Sequence, residues 1–260
     1  MKYNFDEIID RTGTCSSKWE RYSGRFSGYT IDEKQSLSMW VADMDFRCMP
    51  EIIDALHQRI DHGIFGYSNE NINDLFRDAA CRWFHRRYGW DCRPEWMLFS
   101  MGVVTAINNT IQEFTKPGDG IIVQTPVYYP FLHGPINNER TLALNPLLER
   151  GGRYEMDFAG LEALAAQPKN TLLILCNPHN PVGRVWTEEE LLQVLTICKK
   201  YHVMVFSDEI HADLMMPGYQ FTSCGIFKQF HDLLVLAHSP SKTFNIAGLT
   251  SAFLTVPNAE

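Results

Sequence analysis

Long apolar runs are missing from this chain. The longest, such as Thr171 to Cys176, fall far short of the ~20 residues that a membrane-spanning helix needs. The opening MKYNFDEIID has no basic-then-apolar leader, so a cytoplasmic protein is expected. A surplus of cations is also absent. Lys and Arg number 23 against 31 Asp and Glu, a net charge of −8, which excludes nucleic-acid or anionic-membrane binding by bulk charge. The seven cysteines are odd in number, scattered and without a CxxC pair, so neither a disulfide framework nor a zinc ribbon is indicated. There is no repeat, charge block or Ser/Gly linker. What remains is 260 residues, 45% hydrophobic and 21% charged, the profile of a soluble globular protein with one large domain or a little more.

The order of periodic segments is informative. Pro50 opens a helix carrying Ile52, Ile53, Leu56 and Ile60 that stops at Gly63, a pairing that helices favour. Leu75, Phe76, Ala79, Ala80, Trp83 and Phe84 give a second helix ending near Gly89, its apolar face wide enough to require a core. From residue 96 onward short apolar runs alternate with helical stretches: 96–99, 103–114, 121–123 and 172–176. TLLILC and VMVF are apolar throughout, as in parallel sheets covered on both faces. Between them Thr187 and Glu190 form a Thr-x-x-Glu capping box ahead of Leu191, Leu192, Leu195 and Cys198. Asp232 to Ala237 reads as a further buried strand. The fold class is therefore α/β, a mostly parallel sheet sandwiched by helices, and in such sheets ligands bind at the carboxyl ends of strands.

Five segments that follow these strands carry unusual polar residues: Met101 to Val104, Tyr128-Tyr129, Asn177 to Gly183 (NPHNPVG), Asp208 to His211, and Ser239 to Lys242. Singly, each has an ordinary reading as a cap, a turn, packing or a solvated lysine. Asp208, Glu209, His211 and Asp213 could also be read as a metal cluster, but no second His or Cys group arrives with HExxH-like spacing, and no metal is expected.

In order and spacing, NPHNPVG, SDEIHAD and SPSKTFNIAGL resemble the fold-type I pyridoxal phosphate (PLP) enzymes of the class I and II aminotransferase superfamily. WVADMDF, TPVYYPF, and His where Tyr is more usual in SDEIH look like its MalY/PatB-type cystathionine β-lyases, or C–S lyases. The resemblance implies PLP as cofactor and Lys242 as the lysine that forms a Schiff base with it, desolvation after a buried strand favouring the neutral amine. Asp208 would face the pyridine nitrogen and keep it protonated. Asn180 would bind the ring hydroxyl oxygen, Tyr128 would stack on the ring, and His211 would stand on the cofactor side. Gly102, Val103 and Val104 would open a helix that holds the phosphate, with Ser239 and Ser241 as hydroxyl donors. Tyr67 would reach across a homodimer to the neighbour's phosphate.

The same resemblance implies C–S β-elimination from cystathionine or another cysteine S-conjugate, a small-molecule amino-acid substrate. An aminotransferase and a non-catalytic regulatory or binding protein keeping the fold are the alternatives. Residues 1–45 are expected to form an N-terminal arm or part of a small domain, and 46–260 the PLP-binding large domain. Only 18 residues follow Lys242, so the family's C-terminal small domain is expected to be missing, and with it the Arg that clamps the substrate carboxylate. Arg21 or Arg25 would be substitutes. Thr250 stands where many transaminases have a phosphate-binding Arg.

Overall fold

The structure is a computed structural model, which describes residues 3–19, 37–67 and 75–257. In chain order the helices and strands are α1 (Pro50–His62), α2 (Leu75–Tyr88), β1 (Met97–Ser100), α3 (Val103–Phe114), β2 (Gly120–Thr125), α4 (Pro130–Asn137) and β3 (Thr141–Pro146). The hairpin β4 (Leu148–Arg150) and β5 (Arg153–Glu155) follows. Then come α5 (Phe158–Ala165), β6 (Asn170–Cys176), α6 (Glu188–Tyr201), β7 (Met204–Asp208), β8 (Leu234–His238), the short α7 (Pro240–Thr243) and β9 (Ala252–Thr255).

A seven-stranded sheet runs β1-β9-β8-β7-β6-β2-β3. From β3 to β8 all neighbours are parallel, whereas β9 lies antiparallel to both β8 and β1. Side chains along each strand alternate between two apolar layers, as the period of two requires. Ile122, Leu173, Leu175, Val205, Leu234 and Leu236 enter one layer with Phe84 of α2, Leu161 of α5 and Leu191, Val194, Leu195 and Cys198 of α6. Ile121, Val123, Leu172, Ile174, Phe206 and Val235 enter the other with Ile107 and Ile111 of α3 and Phe131 of α4. Both faces are covered, which is why these strands are apolar throughout. Each fully buried aliphatic side chain contributes about 1.5–3 kcal/mol.

The sequence signals at helix ends have their physical counterparts. Thr187 Oγ1 accepts from Glu190 N at 3.2 Å while the Glu190 carboxylate accepts from Thr187 N at 2.8 Å, a complete capping box. Pro50 occupies the first turn of α1, and Gly63 closes it at φ 72°. No residue of α1 is buried. Two expectations need correction. In α2 only Ala80 and Phe84 are buried, and Leu75 and Phe76 remain exposed, Phe76 resting edge-on against Phe253 of β9. The strand expected over 232–237 begins two residues later, since Asp232 and Leu233 close a 3-10 turn.

Candidate active site

The parallel strands end at one rim of the sheet, and the polar segments gather there. Asp208 is the last residue of β7, Asn177 directly follows β6, and Asn177 N donates to Asp208 O at 2.9 Å. Tyr128 lies between β2 and α4, and its backbone N–H donates to Asn180 O at 3.1 Å. Lys242 lies on α7, four residues beyond the end of β8.

Electrostatics tie these groups together. Burial pushes the Asp208 carboxyl up to about 7, opposed by an N–H bond from Ile210 at 3.1 Å and by the nearby Lys242 ammonium. Burial also brings His211 down to about 4, and the Lys242 charge lowers it further. Tyr128 is raised by burial, then by Tyr129, then by the Asp208 carboxylate. Asp208, His211, Tyr128 and Lys242 thus share one neighbourhood, with Asn180 joined through the Tyr128 backbone. The 5% exposed Asp208 carboxyl invites a cationic N–H partner, because an unpaired buried carboxylate is costly. A protonated pyridine nitrogen meets that demand, so the residues present fit the cofactor expected from the sequence.

At the start of α3 the backbone turns at Gly102, whose φ of 95° and ψ of 156° are essentially confined to glycine. No side chain caps this helix, so the first N–H groups, beginning at Val103 and Val104, are available to an anion. Ser239 behaves differently from a free donor. Its hydroxyl donates to Ser251 O at 2.6 Å and accepts from Ser241 N at 3.0 Å, capping α7. Ser241 is itself buried. Tyr67 stands fully in solvent and is not among the residues lining the cleft next to the cluster. That cleft, of about 860 Å³, is lined by Asn180 and His211 together with Ala42, Pro178, His179 and Trp186. Arg21 and Arg25 lie outside the described residues. The carboxylates of Glu209 and Asp213 each have their own protein donors, with Ser207 and Ser223 on Glu209 and Trp83 and Thr243 on Asp213.

One participant was not foreseen. Asn245, three residues after Lys242, accepts from Met44 N at 2.9 Å and donates to Met44 O at 3.1 Å and to Phe46 O at 3.0 Å. The WVADMDF segment is therefore docked on the lysine turn. The signal available in the sequence was Asn itself, which tolerates the left-handed φ of 55° found here.

Comparison with known proteins follows the same lines. The family described as "Aminotransferase class I and II" matches residues 36–260. The chain is 47% identical over 256 residues to cystathionine beta-lyase PatB of Bacillus subtilis (strain 168), covering 98% of this chain and 64% of that protein. It is 32% identical over 260 residues to protein MalY of Escherichia coli (strain K12), again covering 64% of the relative. Among solved structures, cystalysin from Treponema denticola, which contains a pyridoxal 5'-phosphate cofactor, superposes with a TM-score of 0.90 at 38% identity, covering 100% of this chain and 65% of that one. The PLP-bound C–S lyase from Staphylococcus hominis gives 0.91 at 34% identity, over 100% and 64%. This chain spans a little under two thirds of the length of these relatives. With its mostly parallel sheet, its strand-end motifs and this match over most of its residues, the chain belongs to the aminotransferase class I and II family.

Proposed function

We propose that the chain is the cofactor-binding part of a PLP-dependent C–S β-lyase acting on cystathionine or a related cysteine S-conjugate. The observation that carries this reading is the buried Asp208 carboxyl, raised to about 7 and lying near Lys242 at the sheet's carboxyl rim. The lyase reading over amino transfer is supported by the similar proteins named cystathionine beta-lyase or C–S lyase at 47% and 34% identity. In this reading residues 46–260 are the PLP-binding domain and 1–45 the arm or part of a small domain. A second copy of the chain brings Tyr67 to the phosphate.

When bound, PLP supplies an aldehyde that captures the substrate amino group and a ring that accepts the electron pair left at Cα. Asp208 would hold the proton on the ring nitrogen. Asn180 would bind the ring hydroxyl oxygen, the α3 N-terminus would hold the phosphate, and Tyr128 would stack on the ring. Lys242 Nζ would take the proton from Cα. The net reaction would convert the substrate and one water into thiol, pyruvate and ammonia.

The test is to load the chain with PLP, reduce with borohydride, digest, and locate the adduct by mass. The adduct belongs on Lys242, and its appearance on another lysine, or on none, overturns the assignment. Pyruvate and thiol release from cystathionine is then compared with amino transfer to a keto acid, in this chain and in one of the relatives' length. Amino transfer without thiol release would replace the lyase reading. Of the two chains the longer is expected to be the more active.

A further inference from the structure

The segment that begins with Asp208 carries two more carboxylates, and both reach the lysine turn. Glu209 is fully buried. Its Oε1 accepts from Ser207 Oγ at 3.0 Å and Cys224 N at 2.9 Å, and its Oε2 accepts from Ser223 Oγ at 2.6 Å. Oε2 also lies 3.0 Å from Nε2 of the buried His238, at ion-pair distance but off the line of a hydrogen bond. His238 ends β8, four residues before Lys242. Asp213, at 9% side-chain exposure, accepts from Trp83 Nε1 at 3.1 Å, from Arg87 Nε at 3.2 Å and from Thr243 Oγ1 at 2.8 Å. Thr243 directly follows Lys242. The segment that follows Asp208 therefore meets the chain on both sides of Lys242, at His238 before it and at Thr243 directly after it.

The turn needs such support. α7 has only four residues, so it has little hydrogen bonding of its own, such as Phe244 N to Pro240 O at 3.0 Å. Stability alone is a weak reason for burying carboxylates there, because desolvation consumes much of what their partners return and apolar packing would often serve as well. Distance control is a stronger one, since misplacing a reacting group by ~1 Å costs about 10²-fold in rate.

We infer that Asp213, through Thr243, and Glu209, through His238, are positioning residues for Lys242 that fix where its Nζ stands relative to Asp208. This rests on the reading of Lys242 as the cofactor lysine. Neither carboxylate touches the reacting atoms in this account, and each acts through the lysine turn.

The experiment uses the 260-residue chain with and without PLP. In the cofactor-free chain the rate of acetylation of Lys242 is followed by mass spectrometry. In the loaded chain the rate of PLP capture is followed by visible absorbance, and Tm is measured alongside. Thr243→Val is expected to slow capture about tenfold and to change the acetylation rate, with Tm falling by only the few degrees one hydrogen bond supports. Thr243→Ser restores both rates. Asp213→Ala is at least as slow as Thr243→Val, and the double variant is no slower than Asp213→Ala alone, because both remove the same contact. Glu209→Gln slows capture in the same way, and should that variant fail to fold, the Thr243 pair still decides for Asp213. Wild-type rates in Thr243→Val, or a loss confined to Tm, would overturn the inference. Should wild type fix no PLP on Lys242, the cofactor reading fails, and acetylation alone then judges the positioning: unchanged by Thr243→Val it refutes it, changed and rescued by Ser it upholds it.

Discussion

Asn245 holds Met44 across 201 positions of sequence, accepting from its backbone N–H and donating to its carbonyl. Together with the bond to Phe46 O, this is what places the 40–46 segment beside the lysine turn. Asn245→Ala removes three hydrogen bonds and puts alanine at a φ of 55°, for an expected loss of about 2–4 kcal/mol. Limited proteolysis should then cut within 37–47 faster than in wild type. Asn245→Gly loses the bonds but not the backbone comfort, so it should open the segment with a smaller fall in Tm. Identical cleavage in all three proteins would show that the segment is held by something else.

Asp208 gives a pH-dependent stability whose sign is fixed by its raised value. Between the ordinary carboxyl value of 3.8 and about 7 the folded chain keeps a proton that the unfolded chain has lost. Stability of the cofactor-free chain contributed by this group therefore falls as pH rises through that window. Asp208→Asn removes the effect, so the variant should gain on wild type from pH 4 to pH 7 by something of the order of 2 kcal/mol. Loaded with PLP, the same variant is expected to keep the Lys242 adduct yet turn over about 10²-fold more slowly. Urea titrations at the two pH values, with parallel curves for both proteins, would count against the buried carboxyl.

The two histidines at the rim act in the opposite sense. Burial lowers both His179 and His211 to about 4. An unfolded histidine takes up a proton near 6.5 while these do not until near 4, so the folded state loses stability as pH drops through that interval. Replacing both with Asn should flatten the acid side of the profile between pH 7 and 5. A double variant as acid-sensitive as wild type would place the transition on carboxylates instead.

Gly102 is required by backbone and not by space. A Cβ there would meet nothing within 4 Å, but the φ of 95° is hostile to any other residue. Gly102→Ala should cost about 1–3 kcal/mol and weaken PLP binding through the displaced α3 N-terminus. Gly248 has the same open surroundings with no such φ, so Gly248→Ala is the control and should be close to neutral in Tm and PLP affinity. Equal behaviour of the two variants would remove the special role of Gly102.

Local rules account for what could be read in the sequence. The capping box at Thr187 and Glu190, the Pro50 and Gly63 boundaries and the wholly apolar β6 and β7 depend on neighbours a few residues away or on complete burial, and both leave a mark in composition. The rest depends on distant partners. Pro135 inside α4 reads as a breaker and conceals that helix. The four residues of β9 carry no sign that they run antiparallel between β1 and β8. Similarly, nothing near Asn245 points to Met44, and nothing near Asp213 in the sequence points to Trp83, Arg87 and Thr243 as the donors around its carboxylate.

The position of β9 has a consequence for how the protein is made. β1 emerges early in synthesis and β8 late, yet neither has its sheet partner on that side until Thr255 has been added. At ~5–20 residues per second a growing polypeptide waits roughly 8–30 s between β1 and the strand that joins it to the sheet. During that interval Met97 to Ser100 has no strand alongside and lies open to pairing with a neighbouring chain on the same message, whereas β8 waits only about 1–3 s for β9. The four residues of β9 thus decide how long β1 is exposed to that hazard.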